Sequence, residues 1–510
     1  MPSLAAPSLT DSEPSPVWLE QLNWLAFGGL LVVLVWAPLP LGSNRAWALS
    51  LMAMVLCALL LAVVAGALWA GAPLVRPSRS FPARPMLWPL GLLGLMALLV
   101  AAQLLPLPLA LRSPFVPGAD GPGAVSVDPF ATRQYLLACL AYLSAFALVT
   151  LLARTEQRLR MLLATLVLSG VLQAIVAIAL FGSRAEYQFL FTAMSSSDRA
   201  SGTFPNYNHL AGYMELCLAA GLGLMLSSMR ASERPLRGWR QRTVAFLQFA
   251  MSRKMLVRLL LVIMVIALVL TRSRMGNAAF FASLLLTGVA CALVSRQLRR
   301  TAMWLVASLI VVDVLVVGQW VGLDKVVQRM EATSAERAAS SPVAEPGAGA
   351  ESQAAPRHRE ESLEERWQAA RYALQMLPQR PWLGYGGGSF YTAFPQFKGT
   401  YPLGFYDHTH NDYVEIAVDM GLPGLALLVL LAASALWRAG RAMGDHSPAM
   451  ARGLAAGVLM AGLAFALHSA VDFNLQIPAN ALTFTVILAV AWCLPTRSPR
   501  RSLAAVDSDE

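Results

Sequence analysis

Two histidines lie close together in the stretch DHTHNDYVEIAVDMGLPG, residues 407–424, directly before a long apolar run. An imidazole is suited to take a proton from a hydroxyl group near neutral pH. His410 directly precedes a predicted helix, whose N-terminal dipole disfavours the imidazolium form. We therefore predict that His410 stays neutral and able to accept a proton. His408, two residues earlier in a turn, is expected to assist substrate binding or to be dispensable.

The same stretch supplies three carboxylates on one predicted helical stripe, spaced by three and four residues: Asp412, Glu415 and Asp419. From this stripe they can orient His410 or pair with arginines elsewhere. Gly421 and Pro423 are expected to break the helix. Residues 411–420 would then lie at the membrane interface, where three carboxylates are tolerated.

Polar side chains also cluster at the ends of three other apolar runs, in GTFPNYNHLAGYMEL (202–216), LTRSRMGN (270–277) and HSAVDFNLQIPAN (468–480). Ionisable groups beside hydrocarbon are costly and mark candidate sites. Local roles are the alternative: Asn208 is suited to capping a helix, and the two arginines can extend to the membrane interface. Because all four clusters fall on the same side of the predicted spans, we expect one site. The clusters add these candidates: Asn208, His209, Glu215, Arg272, Arg274, His468 and Asp472.

The chain that must position these residues has the composition of a membrane protein. It has 510 residues, of which 13% are charged, against about 25% in soluble domains, and its mean hydropathy is +0.56. Apolar runs long enough to cross a bilayer as helices recur along it. We predict an all-α polytopic membrane protein with about 12 transmembrane helices, near 23–40, 47–71, 87–108, 134–153, 161–182, 209–229, 255–271, 275–295, 302–322, 413–437, 453–470 and 479–494.

Lysine and arginine are concentrated in alternate connections, which predicts the orientation of the spans. The basic connections are 76–84, 154–160, 230–254, 296–300, 438–452 and the C-terminal tail. This pattern places residues 1–22 and 495–510 in the cytoplasm and the four polar clusters on the opposite face of the membrane, toward the periplasm or the cell exterior. The net charge of +10 then records orientation, and we expect no nucleic-acid partner. The first 20 residues lack a basic region, so the first span is expected to direct insertion.

One long connection, 323–410, is predicted to be periplasmic. Within it, SLEERWQAARYALQMLP has apolar residues at helical spacing. This pattern predicts an amphipathic helix along the membrane surface or against the end of the bundle. Further along, GYGGGS (384–389) lacks the spacing of a dinucleotide-binding loop, and we predict a flexible turn.

Neither the cysteines nor the acidic residues indicate a strong metal site. The five cysteines all lie in apolar runs and show no C-x-x-C spacing, so we expect them to be buried. His408 and His410 form an H-x-H pair that could bind a metal with Asp407 or Asp412. We predict a site without a metal or another cofactor and keep the H-x-H site as an alternative.

At the four clusters the sequence resembles the O-antigen ligase and polymerase superfamily of bacterial envelope glycosyltransferases. The family signature, H-[NSQ], nine residues and then G-x-x-G, is matched by His410-Asn411, residues 412–420 and Gly421-Leu-Pro-Gly424. GTFPNYNHLAGY, TRSRMG and RWQAARYALQMLPQRPWLGYGGGSF resemble its other blocks. The likeness covers about 200–480, in the family's order, and looks closest to an exopolysaccharide-associated branch. It divides the chain into helices 1–5 (23–182) and an O-antigen ligase-like region (183–494).

The resemblance implies an inverting transfer of a glycan from undecaprenyl pyrophosphate to an acceptor hydroxyl, on another glycan, on lipid A–core or on a protein. His410 would be the base, and Arg274, with Arg272, would neutralise the pyrophosphate through bidentate contacts. By the same resemblance Arg366 would complete this cationic clamp, which needs no metal. We expect His408, Asn411, Asp412, Glu415, Asn208, His209 and Asp472 to contact substrate.

Two other functions stay open at this point. Twelve spans with buried charges also suit a membrane transporter. However, the ionisable residues crowd one face instead of the midplane, and the two halves show no repeat. A protein O-oligosaccharyltransferase of the pilin-glycosylating type is the other alternative, because H-x-H-N occurs in that branch too.

Overall fold

The protein is described here by a computed structural model. It describes residues 16–74, 86–185, 187–189, 192–194, 199–228, 253–297, 363–399 and 406–495, together with the single positions 240, 299, 303 and 307. The predicted span 302–322 lies almost wholly outside these residues. The predicted periplasmic loop 323–410 is described only from residue 363 to 399 and from residue 406 onward.

Helices make up nearly all of the described chain. In chain order they are α1 Val17–Trp36, α2 Ala46–Trp69, α3 Leu87–Gln103, α4 Leu109–Arg112, α5 Pro129–Leu152, α6 Glu156–Ser183, α7 Tyr207–Ser228, α8 Arg253–Leu270, α9 Arg274–Val294, α10 Leu363–Leu374, α11 Phe390–Ala393, α12 Asp412–Ala442, α13 Ala449–His468 and α14 Pro478–Cys493. A two-stranded antiparallel hairpin, β1 Tyr187–Phe189 and β2 Thr192–Met194, follows α6.

Eight of the described helices are long and apolar enough to cross a membrane, namely α1, α2, α5, α6, α7, α9, α12 and α13. Shorter apolar helices lie at α3, α8 and α14. Each predicted span other than 302–322 falls on one of these helices. The all-α polytopic class is therefore confirmed, with the short hairpin as the exception among the described residues.

Two helices at the centre of the bundle, α7 and α13, pack with almost no space between their backbones. A Cβ atom on Gly453 would lie only 2.2 Å from the backbone nitrogen of Ser227, and one on Gly457 would lie 2.6 Å from the carbonyl oxygen of Ala219. Glycine permits this approach because it has no side chain. This close packing fixes α7 against α13. The start of α7 and the end of α13 carry two of the polar clusters.

Helix α12 is broken at Gly421, as the sequence predicts. Gly421 has φ +71° and ψ 177°, a conformation that favours glycine, and a Cβ there would lie 2.4 Å from the carbonyl oxygen of Trp382. At the break, the backbone N–H of Leu422 donates to the carbonyl oxygen of Pro381, which lies outside α12, at 2.8 Å. The break leaves 412–420 as a separate arm that carries the carboxylates.

The glycine-rich segment 384–389 is not the flexible turn that its composition suggests. Five of its six residues are buried, and the backbone N–H groups of Tyr385 and Gly386 donate to the carbonyl oxygens of Val418 and Asp419 at 2.9 and 3.0 Å. A Cβ on Gly384 would lie 2.5 Å from both of these oxygens. The prediction was wrong because the glycines serve close packing against the α12 arm.

The amphipathic helix is confirmed as α10. Its small side chains, Ala369 and Ala373, are fully buried, whereas Trp367 is 65% exposed and Leu374 is 47% exposed. The helix therefore packs through alanines, and its larger apolar residues face outward. Arg366 is placed so that it reaches the turn between α13 and α14.

Candidate functional site

His408 is held by a carboxylate of the α12 arm. Its Nδ1 lies 2.6 Å from Oε1 of Glu415, whose Oε2 accepts the backbone N–H of Thr409 at 2.9 Å. The glutamate side chain is almost fully buried. With Nδ1–H donating to the carboxylate, the lone pair of Nε2 is left to meet a ligand.

His410 faces a different carboxylate, on the turn between α13 and α14. Its Nδ1 lies 3.9 Å from Oδ1 of Asp472, and its backbone adopts the left-handed conformation with φ +54°. Oδ2 of Asp472 lies 3.3 Å from Nη1 of Arg366. An arginine, an aspartate and a histidine are thus arranged in a row, and the aspartate is fully buried.

The Asp472 carboxylate is ionised despite its burial. Desolvation alone would raise its pKa, but the nearby imidazole of His410 and the positive charge of Arg366 outweigh it and hold the pKa well below the usual range. A carboxylate with a lowered pKa therefore faces His410. Such an anion holds the imidazole in one orientation and stabilises the positive charge that a general base acquires.

Three histidine rings surround one phenylalanine that the sequence analysis did not single out. The ring centroid of Phe473 is 4.2 Å from that of His408, in a stacked arrangement. It is 4.6 Å from the ring of His209 and 5.0 Å from that of His410, both edge to face. Only its position beside Asp472 could have drawn attention to Phe473.

The remaining candidates on the α12 arm have structural partners. The side-chain oxygen of Asn411 caps α12 by accepting the N–H groups of Tyr413 and Val414, each at 3.1 Å. Asp412 accepts the N–H of Leu475 at 3.0 Å. Asp419 accepts the N–H of Gly388 at 2.7 Å.

The predicted role of this stripe therefore needs correction. The carboxylates were expected to orient His410 or to pair with arginines. Glu415 instead orients His408, and Asp412 and Asp419 fasten neighbouring loops to the arm through backbone N–H groups. The carboxylate that faces His410 is Asp472, which is remote in sequence.

On α7, the helix cap is Asn206 and not Asn208. The side-chain oxygen of Asn206 accepts the N–H of Asn208 at 2.9 Å, so the capping alternative considered for Asn208 is wrong. Asn208 and His209 are both buried. Neither ring nitrogen of His209 has a hydrogen-bond partner within the described part of the chain.

A further histidine–carboxylate pair, fully buried, joins α7 to α13. Nδ1 of His468, the last residue of α13, is 2.8 Å from Oε1 of Glu215 on α7, and both side chains have no exposed surface. The pair explains why a glutamate is tolerated two turns into α7. It also joins the polar cluster at 202–216 to the polar cluster at 468–480.

The two arginines of the second cluster, Arg272 and Arg274, are exposed. Arg272 has φ +51°, and its guanidinium lies 6.0 Å from the ring of Phe181. Arg274 is the first residue of α9. Two residues later, Gly276 packs against His468, since a Cβ there would lie 3.2 Å from the histidine ring. Both arginines therefore stand at the site's end of the bundle, although no described contact joins them to the site.

A cavity of about 380 Å³ reaches the site from the side of the first five helices. His408 is among its lining residues, and most of the others are apolar. The apolar walls come from α2, α3, α5, α12 and α14 and include Leu49, Met96, Tyr142, Ile416 and Phe484. The lining also includes Arg45, a cation that the sequence analysis left out of the site.

No three His, Cys, Asp or Glu side chains of the described segments are grouped so that they could hold a metal ion. His408 and His410 turn to separate carboxylates, Glu415 and Asp472. The H-x-H alternative therefore has no third ligand in the part of the chain that is described. A site without a metal stays a prediction.

The fold and the site define a polytopic membrane protein with histidine–carboxylate pairs at one end of its helix bundle. Residues 259–429, about a third of the chain, match the family model described as O-antigen ligase, and this match supports the resemblance to the O-antigen ligase and polymerase superfamily. The matched range includes Arg274, Arg366, His408 and His410, whereas Asp472 lies beyond it. The matched domain supports a role in glycan transfer during envelope polysaccharide biosynthesis. No curated protein matches the chain.

Proposed function

We propose that the protein transfers a glycan from undecaprenyl pyrophosphate to an acceptor hydroxyl at the periplasmic face of the bacterial inner membrane, with inversion at the sugar carbon. The acceptor is a further glycan, lipid A–core or a protein side chain. The observation that carries the proposal is the position of His408 on the lining of a largely apolar cavity. Its ring stacks on Phe473, which also contacts His410 of the His410–Asp472–Arg366 row. A lipid-linked donor needs both an apolar surface and a polar reaction centre.

The reaction can be written with the residues of this site. Nε2 of His410 takes the proton of the acceptor hydroxyl while Asp472 faces Nδ1. The acceptor oxygen forms a bond to the anomeric carbon of the donor sugar, and the bond from that carbon to the pyrophosphate oxygen breaks. The leaving group departs with the electron pair as undecaprenyl pyrophosphate. Arg274, with Arg272 and Arg366, is proposed to neutralise its charge.

His408 has a supporting role in this scheme. Its link to Glu415 fixes the ring on the cavity wall, where it can donate or accept a hydrogen bond with the donor sugar or the acceptor. We propose that the same pocket is shaped by three buried residues next to it, His209, Asn208 and Asp412. Asn411 and Glu415 contribute by holding the start of α12 and His408.

The test uses purified protein reconstituted with a lipid-linked glycan donor, and it measures release of undecaprenyl pyrophosphate and transfer to acceptor. His410→Ala should lower the rate by about 10²–10⁴-fold, the contribution of a positioned general base. His408→Ala should lower it by much less. His446→Ala, an exposed histidine in the α12–α13 connection, is the matched control and should transfer normally.

Two outcomes would contradict this scheme. If His408→Ala is inactive and His410→Ala is nearly normal, the base is His408. If both variants stay active with normal amounts of folded protein, the site is not catalytic. Addition of EDTA should leave wild-type transfer unchanged, and loss of transfer that Mn²⁺ or Zn²⁺ restores would revive the metal site.

A further inference from the structure

The opposite end of the bundle contains a second cavity, of about 530 Å³. It lies between the start of α1, the end of α2 and the turn that joins α5 to α6. Helix α5 begins beside the functional site, where the N–H of Val127 donates to Tyr385. Its 24 residues separate the two ends by about 36 Å. The functional site therefore makes no use of this cavity.

The lining of this cavity is amphipathic. Leu19, Val63 and Ala67 form a buried apolar wall. Polar groups come from the α5–α6 turn (Arg154 and Thr155), from the first turn of α6 (Gln157 and Arg158) and from α1 (Glu20 and Asn23). One wall suits a hydrocarbon chain, and the other suits a polar head group.

The guanidinium of Arg158 in this lining is held in place and can still donate further hydrogen bonds. Nη1 of Arg158 donates to the carbonyl oxygen of Leu152 at 2.9 Å, and the guanidinium lies 4.2 Å above the ring of Trp24. A guanidinium has five N–H groups, and the bond to Leu152 is the one hydrogen bond that the Arg158 side chain donates within the described part of the chain, so most of its N–H groups can meet a ligand. A fixed guanidinium plane suits the oxygens of a phosphate group, which it can bind bidentately.

The second arginine strengthens the preference for an anion. Burial lowers the pKa of Arg154, with a small opposing effect from Cys493, because a partly desolvated cation lacks part of its hydration. A bound anion would offset this cost. Two arginines and Glu20 leave one net positive charge among the lining residues, which matches a singly charged phosphodiester better than a doubly charged phosphate monoester.

The depth of the cavity also fits a membrane lipid. Trp18, Trp24 and Trp69 are exposed at this end of the bundle, at 42%, 44% and 88%. Tryptophan is enriched where a protein meets the lipid head groups. A basic pocket between helices at this depth is suited to an anionic head group.

We propose that this second cavity binds an anionic phospholipid with a phosphodiester head group, such as phosphatidylglycerol. The phosphate lies against Arg158 and Arg154, and an acyl chain lies against Leu19, Val63 and Ala67. The bound lipid joins α1 and α2 to the α5–α6 turn. This inference is independent of the proposed glycan transfer.

The experiment is native mass spectrometry of the delipidated full-length protein after addition of phosphatidylglycerol or phosphatidylcholine. Phosphatidylglycerol should bind preferentially to one site of the wild-type protein. Arg158→Gln should weaken this binding at least about tenfold, since it removes a charge-assisted contact. Arg160→Gln is the matched control, because Arg160 lies two residues further along α6, is 43% exposed and pairs with Glu156.

A second variant leaves the charges in place and fills the apolar wall. Ala67→Leu should also reduce phosphatidylglycerol binding, while size-exclusion chromatography shows that each variant is folded. Equal binding to folded Arg158→Gln and Arg160→Gln, or equal binding of the two lipids, would overturn the proposal. So would displacement of the lipid by inorganic phosphate at equal concentration, because the site would then recognise a soluble anion.

Discussion

Asp472 is the residue on which the arrangement of the site depends most, and its replacement by asparagine is a sharp test. The asparagine side chain would keep the volume of the aspartate and an oxygen that can accept the N–H of Phe473, as Asp472 does at 2.9 Å. It would lack the negative charge that faces both Arg366 and His410. The change is therefore in electrostatics and not in packing.

The expected cost can be worked out from these contacts. The Arg366–Asp472 pair is well shielded, with side chains 15% and 1% exposed, so solvent screening is small. A hydrogen bond between charged groups contributes about 1.5–3 kcal/mol. We expect Asp472→Asn to lose stability of this order. We expect its transfer rate to fall roughly 10²-fold, the lower end of what a positioned base contributes.

The pH dependence separates this explanation from a structural one. Because the pKa of Asp472 is held below that of an unfolded aspartate, about 3.9, its stabilising effect is fully present above that pH. The effect is lost only as the pH falls through the lower folded pKa. The difference in unfolding free energy between wild type and Asp472→Asn should therefore be constant from about pH 5 to about pH 9.

The assay combines reconstituted transfer with thermal unfolding of wild type, Arg366→Gln, Asp472→Asn and the double variant. The unfolding free energies should be non-additive by more than about 0.5 kcal/mol, as expected for residues in contact. Asp407→Asn, at an exposed aspartate of the loop before α12, is the control. Additive effects, or a wild-type stability that falls to that of Asp472→Asn at about pH 5, would refute the reasoning.

Three further predictions concern the arginine clamp, the topology and the packing of the loop. Arg274→Lys should lower the transfer rate about 10–10²-fold without loss of protein from the membrane, because an ammonium cannot form the bidentate phosphate contact; a normal rate would remove Arg274 from the clamp. In cells with a permeabilised outer membrane, an impermeant thiol reagent should label Asp407→Cys but not Gln157→Cys, both at exposed positions, and the reverse pattern would invert the topology. Gln103→Leu should destabilise the protein by about 1–3 kcal/mol for each buried polar group that it leaves unsatisfied. Thermal unfolding measures this loss, with Gln134→Leu as the control, and equal melting temperatures of the two variants would contradict the prediction.

The sequence predicts the helices well because hydropathy is a local property of the chain. Each predicted span other than 302–322 falls on a described helix. The break at Gly421 was also predictable, because glycine and Pro423 act on the backbone where they stand. The amphipathic helix α10 follows from residue spacing in the same way.

The pairing inside the site could not be predicted, because it depends on contacts between distant parts of the chain. Glu415 is nearer to His410 than to His408 in sequence. It nevertheless contacts His408, because the turn before α12 folds back and brings the His408 ring to the side of α12 that carries Glu415. Asp472 reaches His410 only because α13 returns the chain to the start of α12. Phe473 carries no charge and leaves no signal of this kind.

The contacts of Gln103 at the end of α3 bear on how this protein can be divided and recombined. Its side chain donates to the carbonyl oxygens of Leu383 and Asp419 at 2.6 and 2.9 Å and accepts the N–H of Gly387 at 2.9 Å. One residue of the first five helices thus completes the loop and the arm that hold the histidines. We infer that these helices are not an exchangeable adaptor, and that chimaeras joined near residue 183 will work only if both parents share this three-way junction.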